Sequence, residues 1–331
     1  MIRAIFQAGA TGARFTFSYG TPQLQVERAR QVRTIASELG IAPFLVADLA
    51  GEKCRFAEVP GFQTFSVSRD DRVKLTSGQA DPTGTPLKLP VQIPRYLDEL
   101  SCDDFIVVGD GDLLLRVIEI QPDGVLCVVL GSGTIRIGRG ILLQKRDFRP
   151  QPLTSKDLTD FQAIMASGVF DAVAVSFVGS AADVQRIREL ESISGVELPI
   201  VAKIETQLGV ENLDSIAEAS DALMAARGDL ALTMPWEDLP RSVERLSQAA
   251  ARQKRPWILA TQLAEGLERF EFPTRAEICD LAHWISRGAY GAMLSFETAW
   301  GRRPVEAVRS VRLLVDRFRT TRPSAAEHIE S

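Results

Sequence analysis

Short apolar runs alternate with longer amphipathic stretches along most of this chain. The runs predict strands over Ala13–Ser18, Phe44–Asp48, Ala172–Phe177, Ile200–Glu205, Ala222–Ala226, Trp257–Thr261 and Gly291–Ser295. Between them, apolar positions recur at helical spacing. They predict helices over Gln23–Leu39, Ser155–Ala166, Ala181–Leu190, Asn212–Glu218, Arg241–Gln253, Arg275–Ser286 and Val305–Arg319. The opening MIRAIFQAGA predicts one more helix, ending at Gly9, and not a targeting sequence. Ser155-Lys156-Asp157 and Thr274-Arg275-Ala276-Glu277 carry helix-start chemistry, and Gly40, Gly168 and Gly288 stand where C-terminal caps belong. Repeated strand–helix units imply a parallel sheet, either a barrel or a doubly wound one.

The rhythm changes between Phe56 and Lys145. Pro and Gly become frequent, helical signals vanish, and short β-like runs appear at Phe105–Val108, Leu113–Ile120 and Val125–Leu130. Pro122-Asp123-Gly124 is a turn signal between two of them. The pattern predicts a β-rich insertion at 56–145 within an α/β unit made of 1–55 and 146–331.

Composition narrows the function classes. At 331 residues the chain can bury a large core and still hold an insertion. Its formal charge of −5 is mixed along the sequence, leaving no footprint for nucleic acid or for an acidic membrane surface. Cys54, Cys102, Cys127 and Cys279 are scattered without paired spacing and read as free thiols of a reducing compartment, here the cytoplasm. His283 and His328 have no ligand set nearby, which argues against zinc and against Ser-His-Asp chemistry. No run is long enough to span a bilayer.

Chemistry concentrates in Val201–Glu205 (VAKIE) and Ala225–Leu230 (AARGDL). A strand alternates its side chains, so Lys203 and Glu205 share one face at the end of an apolar run. Asp229 follows the end of the next run. Two acids and a lysine at the ends of consecutive strands suit a divalent cation with an electrophilic partner. The same residues read equally as two buried ion pairs capping core strands.

The string VAKIETQLGVENLDSIAEASDALMAARGDLAL closely resembles the central segment of pyruvate kinases. The resemblance continues through Ala260–Glu277 (ATQLAEGLERFEFPTRAE) and Met293–Pro304 (MLSFETAWGRRP), and upstream through Ala13–Gly20 (ARFTFSYG) and Asp48–Arg55 (DLAGEKCR). It implies a (β/α)8 barrel in which 56–145 is a β-barrel-like lid. Here the family's first strand has no counterpart, leaving seven strands predicted where closure needs eight. Its C-terminal domain has none either, so sugar-phosphate allostery through that domain is not expected. The implied activity is transfer of phosphate between phosphoenolpyruvate and ADP, giving pyruvate and ATP, a glycolytic step with Mg2+ or Mn2+. A homo-oligomer through barrel surfaces is compatible with it.

The resemblance assigns roles residue by residue. Glu205 and Asp229 match the divalent-metal carboxylates. Lys203 matches the lysine that supports the transferring phosphoryl group and the developing enolate, and Arg14 and Arg55 match two arginines facing the phosphate. Ala226, Gly228 and Asp229 fall where a helix N-terminus receives the substrate carboxylate. Thr261 matches a threonine linked to proton delivery, and Ser176-Phe177 a pair near the substrate. Tyr19, Arg55, Asp110 and Arg139 fall on the nucleotide side, Asp110-Gly111 and Arg139-Gly140 resembling lid signatures. Departures cluster around the monovalent cation. Thr16 replaces asparagine, Leu49 replaces threonine, and Lys53 replaces glutamate, as in potassium-independent members. Lys53 then reads as a tethered surrogate for potassium. Tyr19 stands for a histidine, and Phe296 for a small residue. Two rival readings stay open: a lyase or aldolase working through the same metal-bound pyruvate enolate, and a non-catalytic ligand-binding homologue.

Overall fold

The computed structural model describes residues 1–319, the side chains of Ile193 and Ser194 excepted. His328 and the end of the 146–331 span lie outside the described residues. Seven strands form one sheet in the order Gly12–Thr16, Phe44–Asp48, Ala172–Val175, Ile200–Ile204, Ala222–Ala226, Trp257–Ala260 and Gly291–Met293. Every neighbouring pair is parallel. The spatial order follows the chain order, as successive right-handed strand–helix units require. The sheet is a (β/α)8-like barrel that lacks one strand. Gly12–Thr16 and Gly291–Met293 are its two free edges among the described residues. The Ile2–Gln7 helix packs on both the Pro22–Ser37 and the Pro304–Phe318 helices. The outer helical layer is therefore continuous where the sheet is not.

Alternation along the strands sorts their side chains into two populations. Leu45, Ala47, Val173, Val175, Ala202, Ile204, Leu223, Ala225 and Leu259 pack outward with the helices in one large buried cluster. Ala172, Ala174, Val201, Met224, Ala226 and Ala260 form a separate, smaller cluster inside the sheet's curve. Lys203 shares the parity of Val201, so it points inward.

Most predicted elements stand within a few residues of their observed limits. The Arg275–Ser286 helix begins in a capping box of Thr274 and Glu277. The Ser155–Ser167 helix is capped by Thr154 with Asp157, one residue earlier than predicted, and ends at a left-handed Gly168. The predicted Asn212–Glu218 helix is observed as Leu213–Ala219, and a further helix that was not predicted, Gln207–Glu211, precedes it and meets it at Asn212. Thr206 caps the Gln207–Glu211 helix by accepting from Gly209 N–H.

Residues 64–144 build a six-stranded and a two-stranded sheet around a third buried cluster. The hairpin of Leu113–Gln121 and Gly124–Val129 turns at the Pro-Asp-Gly triplet. Strands at Thr64–Val67, Arg72–Thr76, Leu87–Pro90, Gly133–Arg136 and Ile141–Gln144 were not predicted; each is only four or five residues long, too short a window for its periodicity to stand out. Helical signal is not wholly missing from this segment either, since Arg95–Asp98 forms one turn. Arg95 there is bound locally by Glu99 and across the fold by Glu52, and these ion pairs hold a turn too short to be periodic.

Candidate active site

The inward positions change from apolar to polar or charged towards the C-terminal ends of neighbouring strands. Arg14 lies within the first strand, Asp48 ends the second, Ser176 follows the third, and Lys203 is next to last in the fourth, with Glu205 just beyond it. Lys203 Nζ lies 3.0 Å from Asp48 Oδ1, 2.7 Å from Ser176 Oγ and 3.1 Å from Glu205 Oε1. Asp48 Oδ2 accepts from Arg14 at 2.8 Å, so one carboxylate holds both cations. Ser176 Oγ in turn donates to Leu49 O at 2.7 Å. Phe177 N–H donates to Glu205 Oε2 at 2.8 Å, and Thr233 Oγ1 donates to the Glu205 carbonyl at 2.8 Å.

Burial sets the electrostatics. By itself it would lower the Lys203 pKa, but the Asp48 and Glu205 carboxylates outweigh it, and the lysine is held charged with its pKa raised. Burial raises the Glu205 pKa, Lys203 opposes that shift, and the nearby Asp229 charge adds to it. A buried acid pressed by a second acid is stabilised by a cation between them.

Asp229 lies in the Arg227–Leu230 turn, for which Ala226 is the N-cap. Its Oδ1 is 2.6 Å from Lys53 Nζ. The Lys53 ammonium therefore rests on the Asp229 carboxylate. No group of three or more His, Cys, Asp or Glu side chains is placed to hold a metal among the described residues. Mg2+ and Mn2+ take hard carboxylate oxygens together with substrate oxygens and water, and Glu205 and Asp229 are donors of that kind.

Thr261 follows the Trp257–Ala260 strand with φ +74, and Gln262 follows with φ +54. Gly228 sits against it: an added Cβ would stand 3.2 Å from Thr261 Cγ2. Arg227 holds this turn by donating to Ala260 O at 3.1 Å and Thr261 O at 2.6 Å, while Asp280 takes its NH1 at 2.5 Å. The motif reading passed over Arg227 and Asp48. Asp48 was findable, because it repeats the inward parity of Val46 at a strand's end. Arg227 was not, since its partners are backbone carbonyls of another strand.

The remaining candidates lie towards the inserted unit. The Arg55 guanidinium stands 6.0 Å over the exposed Tyr19 ring and donates to Gly138 O at 2.9 Å. Arg139 bonds Asp110 at 3.2 Å and Asp112 at 3.0 Å, an exposed group apart from the Lys203 cluster. Asp110-Gly111 forms a tip facing the barrel, where a Gly111 Cβ would lie 3.7 Å from Leu232. The Phe177 ring is buried, and this residue reaches the site only through its backbone.

The family profile described as "Pyruvate kinase, barrel domain" matches residues 1–308. A pyruvate kinase of Thermococcus litoralis is 34% identical over 307 residues, which are 93% of this chain and 64% of that protein. One from Mycobacterium tuberculosis is 33% identical over 315 residues, 95% of this chain and 66% of the other. One from Geobacillus stearothermophilus is 33% identical over 310 residues, 93% of this chain and 52% of the other. The chain thus spans between about half and two thirds of the length of these relatives. A match that runs from the first residue through the last barrel strand, on a fold with these charged strand ends, shows that the chain belongs to the pyruvate kinase family.

Proposed function

We propose that this chain is a pyruvate kinase-like phosphotransferase that moves the phosphoryl group of phosphoenolpyruvate to a nucleoside diphosphate such as ADP. The observation that carries this reading is the cluster of buried Lys203, Glu205 and Asp48 with the half-buried Arg14, and with Asp229 and Thr261 beyond the ends of the next two strands. Phosphoryl transfer asks a protein for positioning and charge more than for covalent chemistry, and the cluster offers both.

In this reading Glu205 and Asp229 hold one divalent cation, whose charge would offset the phosphate and carboxylate of the substrate. Arg14 and Arg55 orient the phosphoryl group. A terminal oxygen of the diphosphate forms the new bond to phosphorus as the bond to the enol oxygen breaks. Lys203, kept charged by its two carboxylates, faces the negative charge left on that oxygen. A proton delivered from the Thr261 side to the methylene carbon completes pyruvate. The Gly228–Asp229 turn receives the substrate carboxylate. The 56–145 unit serves as the lid, with Tyr19, Asp110 and Arg139 towards the nucleotide. Potassium is not required in this reading, because Thr16 and Leu49 change the usual ligand set and the Lys53 ammonium, which rests on Asp229, brings a fixed positive charge.

The test is a coupled assay with phosphoenolpyruvate, ADP and Mg2+ in potassium-free buffer with an organic counter-ion. Turnover indifferent to added KCl is expected. Glu205→Gln, which keeps volume and loses charge, should abolish turnover and weaken Mn2+ binding by calorimetry without changing the circular dichroism spectrum. Unchanged Mn2+ affinity in that variant would remove Glu205 from the metal site.

A further inference from the structure

The segment Ser176–Phe177 joins two parts of the molecule that are otherwise distinct. Among the described non-glycine residues with left-handed backbone, Phe177 (φ +55) is the one whose side chain is buried. A bulky residue adopts that conformation only where its surroundings over-determine it. Two opposing anchors do so here. On one side its N–H donates to Glu205 Oε2 at 2.8 Å, while Oε1 faces Lys203 at 3.1 Å, so both oxygens of that carboxylate are held. On the other side its ring belongs to the buried cluster of the inserted β-unit. Val175 and Val178, which bracket it, belong to the barrel's own cluster.

The ring also lies against the linker that enters the inserted unit. Gly51 has φ +64, and a Cβ on it would stand 2.9 Å from Phe177 Cδ2 and 3.0 Å from Ser176 Cβ. Ser176 itself binds Lys203 and the Leu49 carbonyl. A shift of the inserted unit on its linker therefore bears on the residue whose N–H aims Glu205.

We propose that Phe177 is a positioning residue that couples the inserted unit to Glu205: the ring, held in that unit's core, forces the left-handed backbone that points the N–H at the carboxylate. The proposal rests on the reading of Glu205 as a metal carboxylate. It predicts that divalent-cation binding and ordering of the inserted unit reinforce each other, since both favour the same Phe177 geometry.

Mn2+ alone is the probe. Its binding to wild type, Phe177→Ala, Phe177→Gly and Phe177→Leu is measured by electron paramagnetic resonance, and Mn2+-induced hydrogen-exchange protection is followed in residues 56–145. Alanine removes the ring and keeps the steric cost of φ +55, so its backbone relaxes, the N–H leaves Glu205 and affinity falls on the order of tenfold, the size seen for loss of an orienting partner. Glycine removes more side chain but adopts φ +55 freely. It should bind Mn2+ more tightly than the alanine variant while losing the Mn2+-induced protection of 56–145. A role in packing alone predicts the reverse order, glycine no better than alanine, and that result overturns the proposal. So does alanine binding as tightly as wild type, or glycine retaining full protection. If neither small variant folds, leucine decides: its shorter plug should reduce the induced protection, and unchanged protection overturns the proposal. Wild type that binds no Mn2+ overturns the metal reading together with this one, whereas wild type that binds while the variants do not differ from it overturns this one alone.

Discussion

Lys203 shows how a single position acquires a role from its neighbours. It is an ammonium in a nearly water-free place, which burial by itself would neutralise. Asp48 and Glu205 keep it charged, and Ser176 fixes its direction. An ammonium held in advance where charge develops acts on the transition state more than on the bound substrate. Lys203→Met should therefore lower turnover about a hundredfold or more, with little change in phosphoenolpyruvate affinity. Steady-state kinetics with a direct binding titration separate the two effects. Retained turnover with weakened affinity would make Lys203 a binding residue. Asp48 takes part in the same arrangement from below, since one carboxylate orients both Arg14 and Lys203.

At the scale of elements, the site exists because strands end in register. Parallel pairing sets Thr16 opposite Asp48, Asp48 opposite Ala174, and Lys203 opposite Met224. Side chains at successive ends therefore meet over one floor of small apolar residues. The turns after the strands carry the departures from ordinary backbone, at Phe177, Thr261 and Gln262. Gly51 is the matching feature on the linker, with left-handed φ and no room for a methyl group. Gly51→Ala should cost about 1–3 kcal/mol, from the disfavoured φ and from overpacking against Phe177 and Ser176. Urea unfolding followed by circular dichroism measures it, and a variant as stable as wild type would show that the linker adjusts freely.

The whole molecule has two large buried clusters, one between the barrel strands and their helices and one inside the 64–144 unit. No helix among the described residues is long and apolar enough to cross a membrane. The thiols divide according to this burial. Burial pushes the Cys54 thiol up to about 11 and the Cys127 thiol up to about 12. Cys102 and Cys279 are exposed. Because the thiolate is the reactive form, a disulfide reagent at pH 8 should titrate the two exposed cysteines in the native protein and all four in denaturant. Fast labelling of Cys54 or Cys127 without denaturant would mean that the inserted unit opens readily.

Periodicity and spacing sufficed for the barrel strands and most helices, because a repeated burial geometry imposes a repeated pattern on the residues that satisfy it. The same alternation placed Lys203 and Glu205 on one face, and the resemblance of long motifs singled out Asp229, Arg14 and Thr261 as candidates. Five of the inserted strands escaped; in one of them, Arg72–Thr76, the charged Lys74 is neutralised by a partner distant in sequence, Asp123. Other features were decided by tertiary structure alone. Asp48 bridging two cations, Arg227 gripping the carbonyls of another strand, Lys53 resting on Asp229, and the ring of Phe177 buried in a core other than its own strand's all depend on contacts between segments tens to hundreds of residues apart. A sequence pattern records which face of its own element a residue occupies. Which partner waits on that face is settled only when the strands close around one another.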